Sequence, residues 1–298
     1  MNERAGRSYM IGGAEHGARP IEAALYLVAT PIGNLADITI RALEVLAAAD
    51  ILACEDTRVT RVLLDRYGIR RKSVSYHEHN ATEAGPRLIA EVEAGRSVAL
   101  VSDAGTPLVS DPGFRLVEAA RQAGIKVVPI PGPSSVLAAL AASGLPTDAF
   151  FFAGFLPVKD GQRKTRLAEL AAVPGTLIFL ESPRRLAPSL ATMAEMLGDR
   201  SAAVCRELTK AFEEIRNGTL NELAAHYEQA GAPKGEIVVC VGPPPQSEPD
   251  AAEDIDRILL SLADEMGASR AATEAARMTG AKKADLYRRL LELKDDER

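Results

Sequence analysis

Two short clusters carry residues suited to proton transfer. Cys54-Glu55-Asp56-Thr57-Arg58 opens a helical pattern after one apolar run, and Tyr76-His77-Glu78-His79-Asn80 follows the next. An imidazole beside a carboxylate accepts protons near neutral pH. Glu55, Asp56, His77 and Glu78 are therefore the acid–base candidates, and their spacing does not rank them. Glu55 and Asp56 have an equally good reading as helix N-terminal residues that complement the dipole. His77 and His79 are the nearest approach to a metal pair, but without further clustered His or Cys no metal is expected.

Two loops have ligand-binding character. Ser102-Asp103-Ala104-Gly105-Thr106-Pro107 follows an apolar run, and its small residues allow close backbone approach to a ligand. Asp103 is placed to accept hydrogen bonds there, whereas Asp111, ahead of Pro112, is read as a helix cap. Pro129-Ile130-Pro131-Gly132-Pro133-Ser134-Ser135 is a rigid turn into a helix N-terminus, with simple capping by Ser134 as the plainer alternative. A third loop, Thr30-Pro31-Ile32-Gly33-Asn34, occupies the place of a dinucleotide phosphate loop but has one glycine and an early proline, a poor match.

The elements that must position these loops alternate strand and helix. Apolar runs at 25–30, 51–54, 73–76, 98–102 and 127–130 read as buried strands; 37–49, 61–67, 82–94, 114–123 and 134–142 carry helical spacing. This predicts an α/β fold with a parallel sheet and ligands at its carboxyl ends. A second α/β domain with a mixed sheet is expected over 146–243, after an N-terminal domain at 24–145. A proline-rich linker at 244–253 and a small helical appendix at 254–298 complete the chain, and residues 1–23 read as a flexible leader without an apolar signal region.

The 298 residues are 47% hydrophobic and 26% charged, ordinary globular usage. The net charge of −6 excludes a global basic field. Three scattered cysteines suit a reducing cytoplasm rather than a disulfide framework, and no apolar stretch is long enough to span a bilayer. Local basic clusters remain: 58–72 is net +5, 159–166 net +3 and 266–294 net +4. Such runs are either solvated faces or contacts for a phosphate-rich partner.

The loops above, with Gly154-Phe155-Leu156-Pro157, Glu181-Ser182-Pro183-Arg184-Arg185 and Arg206-Glu207-Leu208-Thr209-Lys210, resemble the bacterial small-subunit ribosomal RNA ribose 2′-O-methyltransferases of the tetrapyrrole methylase superfamily. The resemblance runs from about residue 24 to 243 and more loosely through the appendix. It implies two α/β domains with S-adenosyl-L-methionine between them, a cytoplasmic homodimer, and methylation of cytidine 1402 in 16S rRNA, with the small ribosomal subunit as partner. Carried over by motif, the cofactor meets Pro31 and Ile32, then Asp103, Ala104, Gly105 and Thr106, then Ser134 and Ser135, with Leu180, Glu181, Gly235 and Glu236 opposite. RNA contacts fall to Arg58, Arg61, Lys159, Arg163, Lys164, Arg184 and Arg185, and to Lys282 and Lys283 in the appendix. Methylation of a small tetrapyrrole, or RNA binding with a vestigial cofactor pocket, are the competing readings. The basic clusters speak against the first and the intact small-residue loops against the second.

Overall fold

Strand β3 (Leu25–Val28) shows how the first sheet is built: Leu25 packs into the core on one face, Tyr26 and Val28 into the core on the other. Strand β6 (Val98–Val101) alternates the same way, Val98 and Leu100 against Ala99 and Val101. A strand apolar on both faces needs helices on both. These are α1 (Ile40–Ala48) and α2 (Thr57–Arg66) on one side, and α3 (Ala81–Glu93) and α4 (Phe114–Gln122) on the other.

The computed structural model describes residues 7–111, 113–245 and 251–296. With β4 (Ile51–Cys54), β5 (Ser73–Ser75) and β7 (Val127–Ile130), the first sheet is all parallel, in the order β5-β4-β6-β3-β7. The crossovers after β3 run to one edge and the crossover after β6 runs to the other, so the chain reverses its winding at the β3–β6 pair. Ligands of such sheets bind at that reversal, beyond the carboxyl ends of the strands.

The second sheet has the order β11-β10-β12-β9-β8: β8 (Phe150–Phe155), β9 (Thr176–Glu181), β10 (Ser201–Arg206), β11 (Glu214–Thr219) and β12 (Ile237–Val241). Only β8 and β9 pair in parallel, so the sheet is mixed. Its outer face is covered by α6 (Asp160–Leu170), α7 (Leu186–Leu197) and α8 (Leu220–Ala230). Its inner face receives α5 (Ser135–Ala142), an almost wholly apolar helix that follows β7.

Residues 245–298 form a separate compact unit. Helices α9 (Ala251–Met266), α10 (Ala268–Thr279) and α11 (Lys283–Asp296) enclose a small core of Leu259, Ala271, Ala272, Ala275 and Leu290. Gly280, at φ 72° in the left-handed region, ends α10 and begins a three-residue step to α11. Among the described residues no helix is long and apolar enough to cross a membrane.

The leader expectation needs correction. Strands β1 (Ser8–Ile11) and β2 (Ala14–Gly17) form an antiparallel hairpin, and Tyr9 is buried in the core beside α1. The Met10 amide donates to the Tyr67 carbonyl at 2.8 Å, and Arg7 pairs with Asp50 at 2.6 Å. One buried aromatic and two anchoring contacts order a segment whose composition reads as loop. Residues 1–6 of the leader and 246–250 of the linker lie outside the described residues. Tyr9→Ala is expected to destabilise the protein by about 3 kcal/mol, the usual cost of removing a buried aromatic. A melting temperature equal to wild type in thermal denaturation would show the hairpin to be energetically idle.

Candidate active site

Three loops leaving the first sheet are fastened to one another. Thr30 and Gly105 exchange backbone hydrogen bonds at 2.9 and 3.0 Å, and Thr30 Oγ1 donates to the Ser102 carbonyl at 3.1 Å. Thr106 Oγ1 donates to the Pro133 carbonyl at 3.4 Å. Gly132 lies so close to Ala29 that a Cβ there would sit 2.9 Å from the Ala29 Cβ. Ser134 caps α5, accepting from the Leu137 amide at 3.4 Å.

Two of the loops that form the walls are strained. Leu108 and Ser110 hold φ of 73° and 63°, and Glu207 and Thr209 hold 50° and 66°, a region that costs L-residues about 1–3 kcal/mol each. The Glu207 carboxylate fastens the second wall by accepting from the Glu236 amide at 3.0 Å and Lys210 Nζ at 2.8 Å. A Cβ at Gly235 would collide with Glu207.

Three cavities follow. The first, about 280 Å³, lies between Ile32, Ala104 and Ser135 on one side and Leu180, Ile237 and Val238 on the other. The second, about 310 Å³, extends it past Pro31, Asp103 and Lys210, sharing Ile32, Ala104 and Glu236 with the first. The third, about 500 Å³, is bounded by Glu55, Tyr76, His77, Glu78 and Phe114, and shares Ser110 and Asp111 with the first. Glu181 lines the first cavity, but its carboxylate is engaged inward by the Ser182 amide (2.7 Å), Ser189 Oγ (2.5 Å) and Arg185. Gly105, Thr106, Ser134 and Gly235 line neither of the first two cavities; they shape the loops that do.

The carboxylates are unequal. Asp56 caps α2 and pairs with Arg58 at 2.6 Å; the Arg58 hydrogen bonds hold it down at about 2, which makes it a poor base. Asp103 accepts from the Asp56 amide at 3.0 Å. Burial pushes Glu55 up, aided by the nearby Asp103 charge. Burial, then the Glu55 charge, pushes Asp111 up to about 6 against an opposing interaction with Ser102. The capping reading of Asp111 is therefore corrected: Gly113 is the N-cap of α4, without a side-chain bond, and Asp111 stands in the wall common to two cavities. The sequence did hold a signal for it, since Ser102-Asp103 and Ser110-Asp111 place the same dipeptide at both ends of one small-residue loop.

Several basic candidates are also corrected. Arg163 is buried, donating to Thr192 Oγ1 and the Val158 carbonyl and pairing with Asp160. Arg185 is turned onto Glu181 and the Leu156 carbonyl. Lys164 pairs with Glu195 at 2.7 Å. Lys159 and Arg184 are exposed, as are Lys282 and Lys283. Arg58 and Arg61 line a surface groove with Thr57, Lys72 and Ser73. Among the described residues no three His, Cys, Asp or Glu side chains are grouped to hold a metal ion.

The sequence profile of the tetrapyrrole (corrin/porphyrin) methylases matches residues 24–224. The chain belongs to this family. A second profile, the RsmI C-terminal HTH domain, matches residues 248–294. Ribosomal RNA small subunit methyltransferase I of Mesorhizobium japonicum is 72% identical over 96% of this chain and 97% of its own length. The protein of the same name from Escherichia coli O157:H7 is 47% identical over 90% and 94%. Among solved structures, a uroporphyrin-III C-methyltransferase from Thermus thermophilus is 26% identical and superposes with a TM-score of 0.50, over 73% of this chain and 93% of that one. As a tetrapyrrole methylase, the protein is a methyltransferase.

Proposed function

We propose that the protein methylates the ribose 2′-hydroxyl of cytidine 1402 in 16S rRNA, using S-adenosylmethionine bound in the first two cavities. The observation that carries the mechanism is Asp111, a carboxylate shared by a ligand-sized cavity and its neighbour. The names of relatives similar over nearly the whole chain support small-subunit rRNA as substrate.

The cavity suits the cofactor. Asp111, Glu181 and Glu236 line its first part; Glu181 is paired with Arg185 and Glu236 with Lys210, so Asp111 carries the attraction for a cationic sulfonium. Leu180, Ile237 and Val238 give an apolar surface for an adenine ring. When bound, S-adenosylmethionine supplies an electrophilic methyl group on a positively charged sulfur. The three fastened loops hold the reactants in line, and positioning at about 3 Å supplies much of the acceleration. With that donor bound, Asp111 would accept the proton of the 2′-hydroxyl as the methyl group is transferred to its oxygen. A carboxylate near 6 is ionised at neutral pH, yet more basic than an ordinary Asp. Phosphates are assigned to the groove of Arg58 and Arg61, and to Lys159, Arg184, Lys282 and Lys283.

Asp111→Asn should lower kcat about 10²–10⁴-fold, the usual contribution of a positioned base. The cofactor Kd from calorimetry should rise, because Asp111 lines the same cavity, but by far less than kcat falls. Because Asp111 is a base with a raised pKa, faced by Glu55, Asp103 and His77, wild-type kcat should fall about tenfold per unit below pH 6 and level off above it. Wild-type kcat in Asp111→Asn, in labelled methyl transfer to small ribosomal subunits, would remove the assignment.

Lys282→Glu combined with Lys283→Glu should weaken binding to small-subunit RNA and make log K less steep in log salt by about 2. An unchanged slope would return these lysines to a solvated face.

A homodimer is also proposed. Edge strand β8 leaves Phe150 and Phe151 exposed at 45% and 38%, an apolar edge that a second copy would cover. Sedimentation at micromolar concentration should give about twice 31.7 kDa, and a single monomeric species would refute the dimer.

A further inference from the structure

The third cavity is not part of the expected cofactor site, yet it meets that site at Ser110 and Asp111. Its volume of about 500 Å³ exceeds that of either neighbour. Glu55, Glu78 and Asp111 line it against Arg115, so a phosphate is disfavoured inside, while a neutral ring carrying amino hydrogens is welcome. Phe114, the first residue of α4, stands at this cavity 69% exposed. That leaves most of its ring available to a ligand in the cavity. Glu55 is half-buried there, and His77 Nδ1 is buried without a hydrogen-bond partner among the described residues.

We propose that this cavity receives the acceptor nucleoside, unstacked from its RNA, with Phe114 as the face on which the base stacks and Glu55 as the acceptor that reads its exocyclic amine. The assignment rests on the RNA ribose methylation proposed above. Single-stranded RNA bases are recognised by stacking on aromatic side chains and by hydrogen bonds to their edges. Glu and Asp accept from the cytosine amine, and an edge lacking that amine leaves the carboxylate unpaired. The sugar of a base seated on Phe114 lies toward Asp111, which opens onto the cofactor cavity.

The test uses the full-length protein and small ribosomal subunits. Stacking is worth about 1–3 kcal/mol per base, so Phe114→Ala should lower kcat/KM for the subunit about 5- to 150-fold. The cofactor Kd and melting temperature should remain at wild-type values, and Phe114→Trp should restore most of the loss. Glu55 is read by exchanging the acceptor cytidine for uridine in reconstituted subunits. The wild-type protein should prefer cytidine at least tenfold, and Glu55→Gln should narrow that preference. Unchanged kcat/KM in Phe114→Ala, or an unchanged cytidine-to-uridine ratio in Glu55→Gln, overturns the proposal. Absence of methyl transfer to any subunit RNA by the wild-type protein would instead overturn the underlying reaction.

Discussion

The packing of α5 on the inner face of the second sheet fixes everything around it. Val136, Ala139 and Leu140 of α5 meet Ala203 and Cys205 of β10 and Val238 and Cys240 of β12, with Ile32 completing the cluster. Most of the sheet's side of that contact is small, which lets helix and sheet approach closely; Cys205 Sγ lies 3.8 Å from the Ala139 carbonyl. The register carries the constraint. Strand β12 sends Ile237, Val239 and Val241 to the outer core and Val238 and Cys240 to this one, so a one-residue slip would exchange the two sets. Because α5 follows directly from the Pro131–Ser134 turn, the same contact brings the ends of β3, β6 and β7 opposite β9 and β12.

That arrangement is maintained at a cost concentrated in the cavity walls. Four non-glycine residues hold positive φ there, and Glu55, Asp103 and Asp111 repel one another through a part-buried site. The 207–209 turn is restrained at both ends: the Thr209 amide donates to Glu213 at 2.6 Å, and Glu207 is gripped by Lys210 and the Glu236 amide. Strain and like-charge crowding are features that folding alone would remove, and their location beside the cavities is where function would retain them.

Much of this was legible in the sequence, because burial on both faces leaves continuous apolar runs. The expected strands at 51–54 and 127–130 coincide with β4 and β7, and the others of the first sheet differ by a residue or two at their ends. What escaped was decided by tertiary contact. The hairpin at Ser8–Gly17 has one buried aromatic, too little periodicity to see without its partner helix. Arg163 stands in a cationic run that reads as a solvated face, yet α6 turns that one guanidinium onto α7 at Thr192. Glu181 reads as a ligand residue at a strand end, yet Ser189 and Arg185 claim its carboxylate. Asp111 follows the capping rule by position, and only the cleft shows that helix α4 begins without it.

The acidic net charge and the proposed RNA substrate are reconciled by where the charges stand. Carboxylates dominate the cavities, while exposed cations lie in the Arg58–Arg61 groove and at Lys159 and Arg184. At physiological salt a charge acts over roughly 8 Å, so each region presents its own field rather than the average. On the proposed reading, a sulfonium would be drawn toward Asp111, whereas an RNA backbone would be held off from the cleft and attracted to the basic surface outside. A nucleotide would then reach Asp111 with its phosphates left outside, sugar and base extending inward from a backbone held on the outer groove. The Glu55 charge that adds to burial in raising Asp111 would also disfavour competing anions beside it, which suits a substrate that can turn a nucleoside out of its stack.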